Sequence, residues 1–106
     1  MNYEDFRKVP YFEKMNPQMK IIAAIYLNDK EDKGLTREQL KAVLKDDIEQ
    51  GELEINLEAM ELIAETIEPT AKKIEEKYTQ AFRLSEDMRT ETERFLRALS
   101  SFGLFR

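Results

Sequence analysis

The side chains that could do chemistry in this chain are carboxylates, lysines and arginines, because it has no histidine and no cysteine. The usual nucleophile, general base and zinc ligands are therefore missing. With 22 acidic and 17 basic residues the net charge is −5, and the excess is localised. Residues 1–45 hold nine basic and seven acidic side chains, and residues 70–106 hold eight and six. Residues 46–69 hold no Lys or Arg and nine acids: Asp46, Asp47, Glu49, Glu52, Glu54, Glu58, Glu61, Glu65 and Glu68. From Glu54 to Glu68 the acids recur at spacings of four and three, so on a helix they form one stripe, where like charges repel by about 0.2–0.5 kcal/mol per pair. Two readings follow. Basic residues (Lys72, Lys73, Lys77, Arg83) lie across from the stripe, or Glu54, Glu58, Glu61 and Glu65 form a docking surface for a basic partner.

Three other arrangements fall short. The run from Asp29 to Gly34 resembles a calcium-binding EF-hand loop at its first, third and sixth positions. However, Lys33 occupies the fifth position and Leu40 the twelfth, where a bidentate Glu belongs, so it reads as a solvated turn. Gly34, Gly51 and Gly103 are too far apart for a phosphate-binding loop. The helix pair around Gly34 could pass for half of a helix–turn–helix, since Thr36-Arg37-Glu38-Gln39-Leu40 resembles the opening of its second helix. The segment that follows is the most acidic in the chain, which argues against nucleic-acid binding.

The elements that must carry these residues read as helices. Leu57, Met60, Ala64, Ile67, Ala71, Ile74, Tyr78, Ala81, Ser85, Met88, Thr92, Phe95, Leu99 and Phe102 keep an unbroken three-four spacing. This predicts one long helix or two in register, interrupted at Pro69 and restarted with Thr70 as cap. Asn16-Pro17 starts an earlier helix that ends in the polar loop before Gly34. Thr36 to Gln39 is a capping box that opens another. Residues 50–55 read as a connector with Leu53 and Ile55 turned inward, and Asn56 as the cap of the long element. The aromatics Tyr3, Phe6, Tyr11 and Phe12 read as a short turn and an arm capping the core.

The expected fold is thus all-α: a single domain, 1–106, of about four helices. A short-helix bundle (1–55) packs on a bent pair, Asn56–Glu68 and Thr70–Ser101, the latter about 45 Å long at 1.5 Å per residue. Its far end, with Phe95, Leu99, Phe102, Leu104 and Phe105, needs another surface, and the nearest at hand is a second copy. Ser101-Phe102-Gly103-Leu104-Phe105 resembles the bacterial sliding-clamp-binding peptide, usually Gln-Leu-x-Leu-Phe, at its final Leu-Phe; Ser101 and Phe102 depart from it. The preferred reading has the tail folding back or burying in an oligomer.

The expected function is a non-enzymatic helical adaptor or assembly protein acting through helix–helix contacts, of a size and acidity that suit a phage or mobile-element accessory protein. The alternative is an acidic inhibitor docking on a basic site of a nucleic-acid-handling protein. A protein partner and self-association are expected, with no cofactor, no metal, no direct nucleic-acid contact and no membrane. The first residues do not resemble a signal peptide and no apolar run reaches a membrane span, which places the chain in the cytoplasm.

Overall fold

The computed structural model describes residues 1–101 and is a mixed α and β structure. Its elements are α1 (Tyr3–Phe6), a 3-10 turn (Phe12–Lys14), α2 (Pro17–Asn28), β1 (Leu35–Thr36), α3 (Arg37–Leu44), α4 (Gln50–Leu62), β2 (Ile67–Ile74), β3 (Lys77–Leu84) and α5 (Glu86–Ser101). The all-α bundle expected from the heptad spacing is incorrect. Where one long helix, Thr70–Ser101, was expected, a β-hairpin occupies most of the first half and only the second half, α5, is helical. The hairpin joins β1 in a three-stranded antiparallel sheet of order β1-β3-β2.

Local chemistry explains the hairpin. Ile67, Thr70, Ile74, Tyr78, Thr79 and Phe82 are β-branched or aromatic, types that suit a pleated surface. Thr70 caps no helix; it pairs with Ala81 across the hairpin. Pro69, which would break a helix, is tolerated because β2 is an edge strand. The last pair is Ile74 with Lys77, so Glu75 and Glu76 form a two-residue turn, with φ of 49° and 69°. Both positive angles fit the turn that follows the natural twist of a hairpin. The hairpin base is core (Ile67, Ala81, Phe82, Leu84), whereas residues 73–80 stand in solvent.

The first half follows its sequence signals. Asn16 accepts from the Met19 amide at 2.9 Å and Pro17 opens α2. This helix buries Ile21, Ala23, Ala24, Ile25 and Leu27, on more than one side, and is the centre of the core. Thr36 and Gln39 close their reciprocal capping box at the start of α3. Tyr3, Phe6 and Phe12 stack with centroids 5.8–6.2 Å apart and are buried in the same core. Gly34, at φ +91°, lies against the hairpin: a Cβ there would meet Thr70 Cγ2 at 2.8 Å. Lys72 Nζ donates to the Gly34 carbonyl (3.0 Å) and Gln39 Oε1 (3.2 Å), tying the hairpin to the start of α3.

The Asp29–Gly34 loop spends its carboxylates internally. Asp29 accepts from the Lys33 and Gly34 amides, both at 2.8 Å, and lies 3.7 Å from the Arg89 guanidinium, which also holds Asp32 at 2.7 Å. Arg89 on α5 thereby pins the loop. Ser85 caps α5 by accepting from the Met88 amide at 3.3 Å. The helix buries Thr92, Leu96 and Leu99. Thr92 lies on this apolar stripe without penalty because its hydroxyl donates to the Met88 carbonyl at 2.7 Å. The single core cluster runs from Tyr3 to Leu99, and the boundary expected after residue 55 falls inside α4.

Candidate functional site

The order of α3, a five-residue turn, α4 and a β-hairpin that packs on α4 resembles, as an order of elements, a helix–turn–helix carrying a wing, with a turn longer than the three or four residues usual there. The helices on either side of this turn, α3 and α4, each pack on α2, and they lie one element later than the pair around Gly34. The turn is clamped from outside: Tyr3 Oη donates to Asp47 at 2.9 Å and Arg7 Nε reaches the same carboxylate at 3.0 Å. Burial and the Asp47 hydrogen bond push the Tyr3 hydroxyl far above its ordinary range, and Asp47 raises the Arg7 guanidinium in turn. These groups are structural. The other shifted pair, Glu31 lowered and Lys33 raised by their mutual ion pair, sits on an exposed loop.

In a helix–turn–helix the second helix is the reading element. The second helix here is α4, and its N-cap, Glu49, lies seven residues before the expected cap, Asn56. Asn56 is mid-helix, its amide donating to the Glu52 carbonyl at 2.8 Å. Leu53, Leu57 and Met60 face the core, so Gly51, Ile55, Glu58 and Leu62 form the outward stripe. Ile55, expected to turn inward, is 71% exposed; Leu62 is 64% exposed and Ile63, just beyond, 82%. Of the eight large apolar side chains most exposed among the described residues, five lie on α4, its C-cap or the hairpin. Tyr78, 74% exposed, is the largest of them.

The acids divide by fate. Glu54 is partly neutralised: Arg37 Nε reaches it at 3.1 Å while Arg37 also donates to Gln80 at 2.6 Å. Glu68 is on β2, not on a helical stripe, and pairs with Arg83 at 3.1 Å. Glu65 is in the loop after α4, with φ 54°. Lys73 is spent on Glu76 rather than on the α4 acids. Glu52, Glu58 and Glu61 therefore carry the outward charge, with no basic residue in the last turn of α4. Two depressions flank the ridge and share Glu61. One, about 670 Å³, is lined by Glu61, Glu65, Glu68, Glu86, Asp87 and Glu91 with no Lys or Arg. The other, about 230 Å³, lies between α4 and the hairpin, with Ile55, Glu58 and Phe82 on its walls. Among the described residues no group of acids is arranged to hold a metal ion.

The remaining expected contact residues are elsewhere. Phe95 is 39% exposed on α5, in an apolar groove with Met19, Ile22 and Met88. Leu99 is buried in the chain's own core. Phe102, Leu104 and Phe105, and with them the clamp-peptide resemblance, lie outside the described residues. The structure thus spreads Glu54, Glu58 and Glu61 along α4 and places Glu65 in the loop beyond it, apart from Phe95 and Leu99 on α5. Sequence reasoning missed Ile55, Leu62 and the hairpin tip. The spacing Gly51, Ile55, Glu58, Leu62 was a visible signal, masked by starting the helix at Asn56. No helix among the described residues is long and apolar enough to cross a membrane. No protein-family model, characterised protein or solved structure matches the chain.

Proposed function

We propose that the chain is a non-enzymatic adaptor or assembly protein, a helix–turn–helix scaffold that works by protein–protein contact instead of reading DNA. One observation carries this: the outward side of α4 combines Glu52, Glu58 and Glu61 with exposed Ile55 and Leu62 and presents no Lys or Arg. A helix seated against phosphates must offer positive charge, since counterion release supplies most non-specific affinity. The hairpin tip, with Lys73 and Lys77 beside Glu75 and Glu76, carries no net charge and supplies no positive excess to offset that face. Exposed aliphatics among acids suit a protein surface instead.

The test is fluorescence anisotropy with a random duplex at low salt. The wild-type chain is expected not to bind below about 100 µM, the weak end of ordinary non-specific binding. Reversing Glu52, Glu58 and Glu61 to Lys changes the net charge by two at each site, from −5 to +1, and should create salt-sensitive binding. Micromolar binding by the wild-type chain, weakening as salt rises, would overturn the reading. Self-association is the second arm: light scattering on the wild type and on Phe95→Ser shows whether the Met19–Phe95 groove joins copies. The alternative of an acidic inhibitor is favoured by the depression lined with six carboxylates. Its complex would dissociate steeply between low and moderate salt, whereas an apolar seam would not.

A further inference from the structure

The helix α4 breaks several local rules at once. Its N-cap, Glu49, makes no side-chain cap bond. Gly51 lies in its first turn with nothing within 4 Å of where a Cβ would project, so no crowding requires glycine there. Its last turn, where unpaired carbonyls concentrate negative charge, carries Glu61 and no basic residue. Its solvent face exposes Ile55 and Leu62. Such conflicts between sequence and scaffold gather at working surfaces, and all of these fall on one helix.

We infer that this face seats a basic amphipathic helix of a protein partner, with Ile55 and Leu62 as apolar contacts and Glu58 and Glu61 as charge contacts. The inference rests on the protein-contact reading above and names its partner chemistry. Charge complementarity selects the occupant: Lys or Arg side chains would relieve both the mutual repulsion of the glutamates and their conflict with the helix terminus. Shape selects a helix. The stripe from Gly51 to Leu62 is about 16 Å long at 1.5 Å per residue, three turns of a partner helix. Gly51 leaves that end flat enough for close backbone approach, and the depression beside Ile55 and Phe82, whose wall also includes Arg37, suits an apolar side chain of that helix. A second copy fits less well, because Arg94 and Arg97, exposed on α5, are each paired with a glutamate of their own helix.

The experiment uses the full chain, labelled with nitrogen-15, titrated with a synthetic Leu/Lys peptide of about 14 residues patterned as an amphipathic helix. A Leu/Glu peptide of the same pattern is the control. Amide shifts confined to residues 51–63 and the hairpin, with affinity lost about 5-fold or more in Ile55→Ser and in Glu58→Gln with Glu61→Gln, are the expected result. Ile55 is exposed, so its variant folds as the wild type does, which the unperturbed spectrum verifies. Four outcomes overturn the proposal: shifts spread over every acidic surface with Ile55→Ser unchanged, shifts centred on Met19 and Phe95, the same response to the Leu/Glu peptide, or no shifts at about 0.5 mM peptide. The duplex titration separates the levels. If the wild-type chain binds DNA, the protein-contact reading fails; if it does not and the peptide lands elsewhere, only this inference fails.

Discussion

Replacing Glu75-Glu76 with Asn-Gly tests the fold at the point where sequence and structure part. Both glutamates hold positive φ, a region that costs an ordinary L residue about 1–2 kcal/mol and that Asn and Gly enter readily. Relieving both positions gains about 2–3 kcal/mol; the extra chain entropy of glycine returns about 1 kcal/mol. The Lys73–Glu76 ion pair is lost, but Glu76 is 90% exposed and the pair contributes nothing measurable. The net expectation is a stabilisation of about 1–2 kcal/mol, which for a domain of this size raises Tm by about 5–10 °C. Urea unfolding followed by far-UV circular dichroism measures it, with the slope unchanged. A continuous helix through residues 70–101 predicts the opposite sign. There Asn and Gly would replace a better helix former in the interior and cost about 1 kcal/mol. Destabilisation would therefore refute the hairpin, and no change would refute the turn geometry.

Gly34→Ala is expected to lose about 2–4 kcal/mol in the same assay, from its left-handed φ and the contact with Thr70 Cγ2 at 2.8 Å; adding Thr70→Ser, which removes that methyl, should recover part. Tyr3→Phe removes the hydrogen bond to Asp47 and should cost about 1–2 kcal/mol near neutrality. Because the folded-state pKa of Tyr3 is raised above the unfolded value of 10.0, its contribution is complete below that pH and is lost as pH rises above it, since the unfolded chain ionises first. Urea midpoints taken from pH 8 to 11 should fall more steeply for the wild type than for Tyr3→Phe, and equal slopes would refute the assignment. Gly51→Ala is expected to gain about 0.5 kcal/mol of stability while weakening the Leu/Lys peptide; a gain in both would remove the argument for close approach.

Legibility in the sequence followed the range of the interactions. Asn16-Pro17, the Thr36–Gln39 capping box and the left-handed Gly34 are decided within a few residues, and each was readable. The second half was misread because an apolar three-four spacing does not by itself distinguish helix from strand. In the segment 67–84 the deciding facts are pairings such as Thr70 with Ala81 and contacts such as Lys72 with Gly34, which span up to 38 residues. The β-branched and aromatic content of that segment was the available warning. For the candidate site, the acidity of 46–69 was legible. Its division into paired Glu54 and Glu68 and unpaired Glu58 depended on Arg37, at the start of α3, and on Arg83, which the hairpin pairing sets beside Glu68.

Had the nine acids formed one continuous stripe, a diffuse electrostatic role would have sufficed, and any basic surface could have served as partner. Arg37 and Arg83 pair with the acids nearest the sheet, and apart from Asp46 and Glu49 in the turn before α4 the remaining charge lies on the outward side of α4 and in the depression beyond Glu61. Ile55 and Leu62 lie within that charge, not beside it. An apolar side chain held among carboxylates gains little in water and favours a partner that brings both apolar surface and positive charge. Charge alone would set the rate of encounter; the aliphatics would set the lifetime of the complex. The scaffold displays α4 beside the hairpin, with Asp47 in the preceding turn clamped by Tyr3 and Arg7, and presents on it a surface with the wrong sign for DNA.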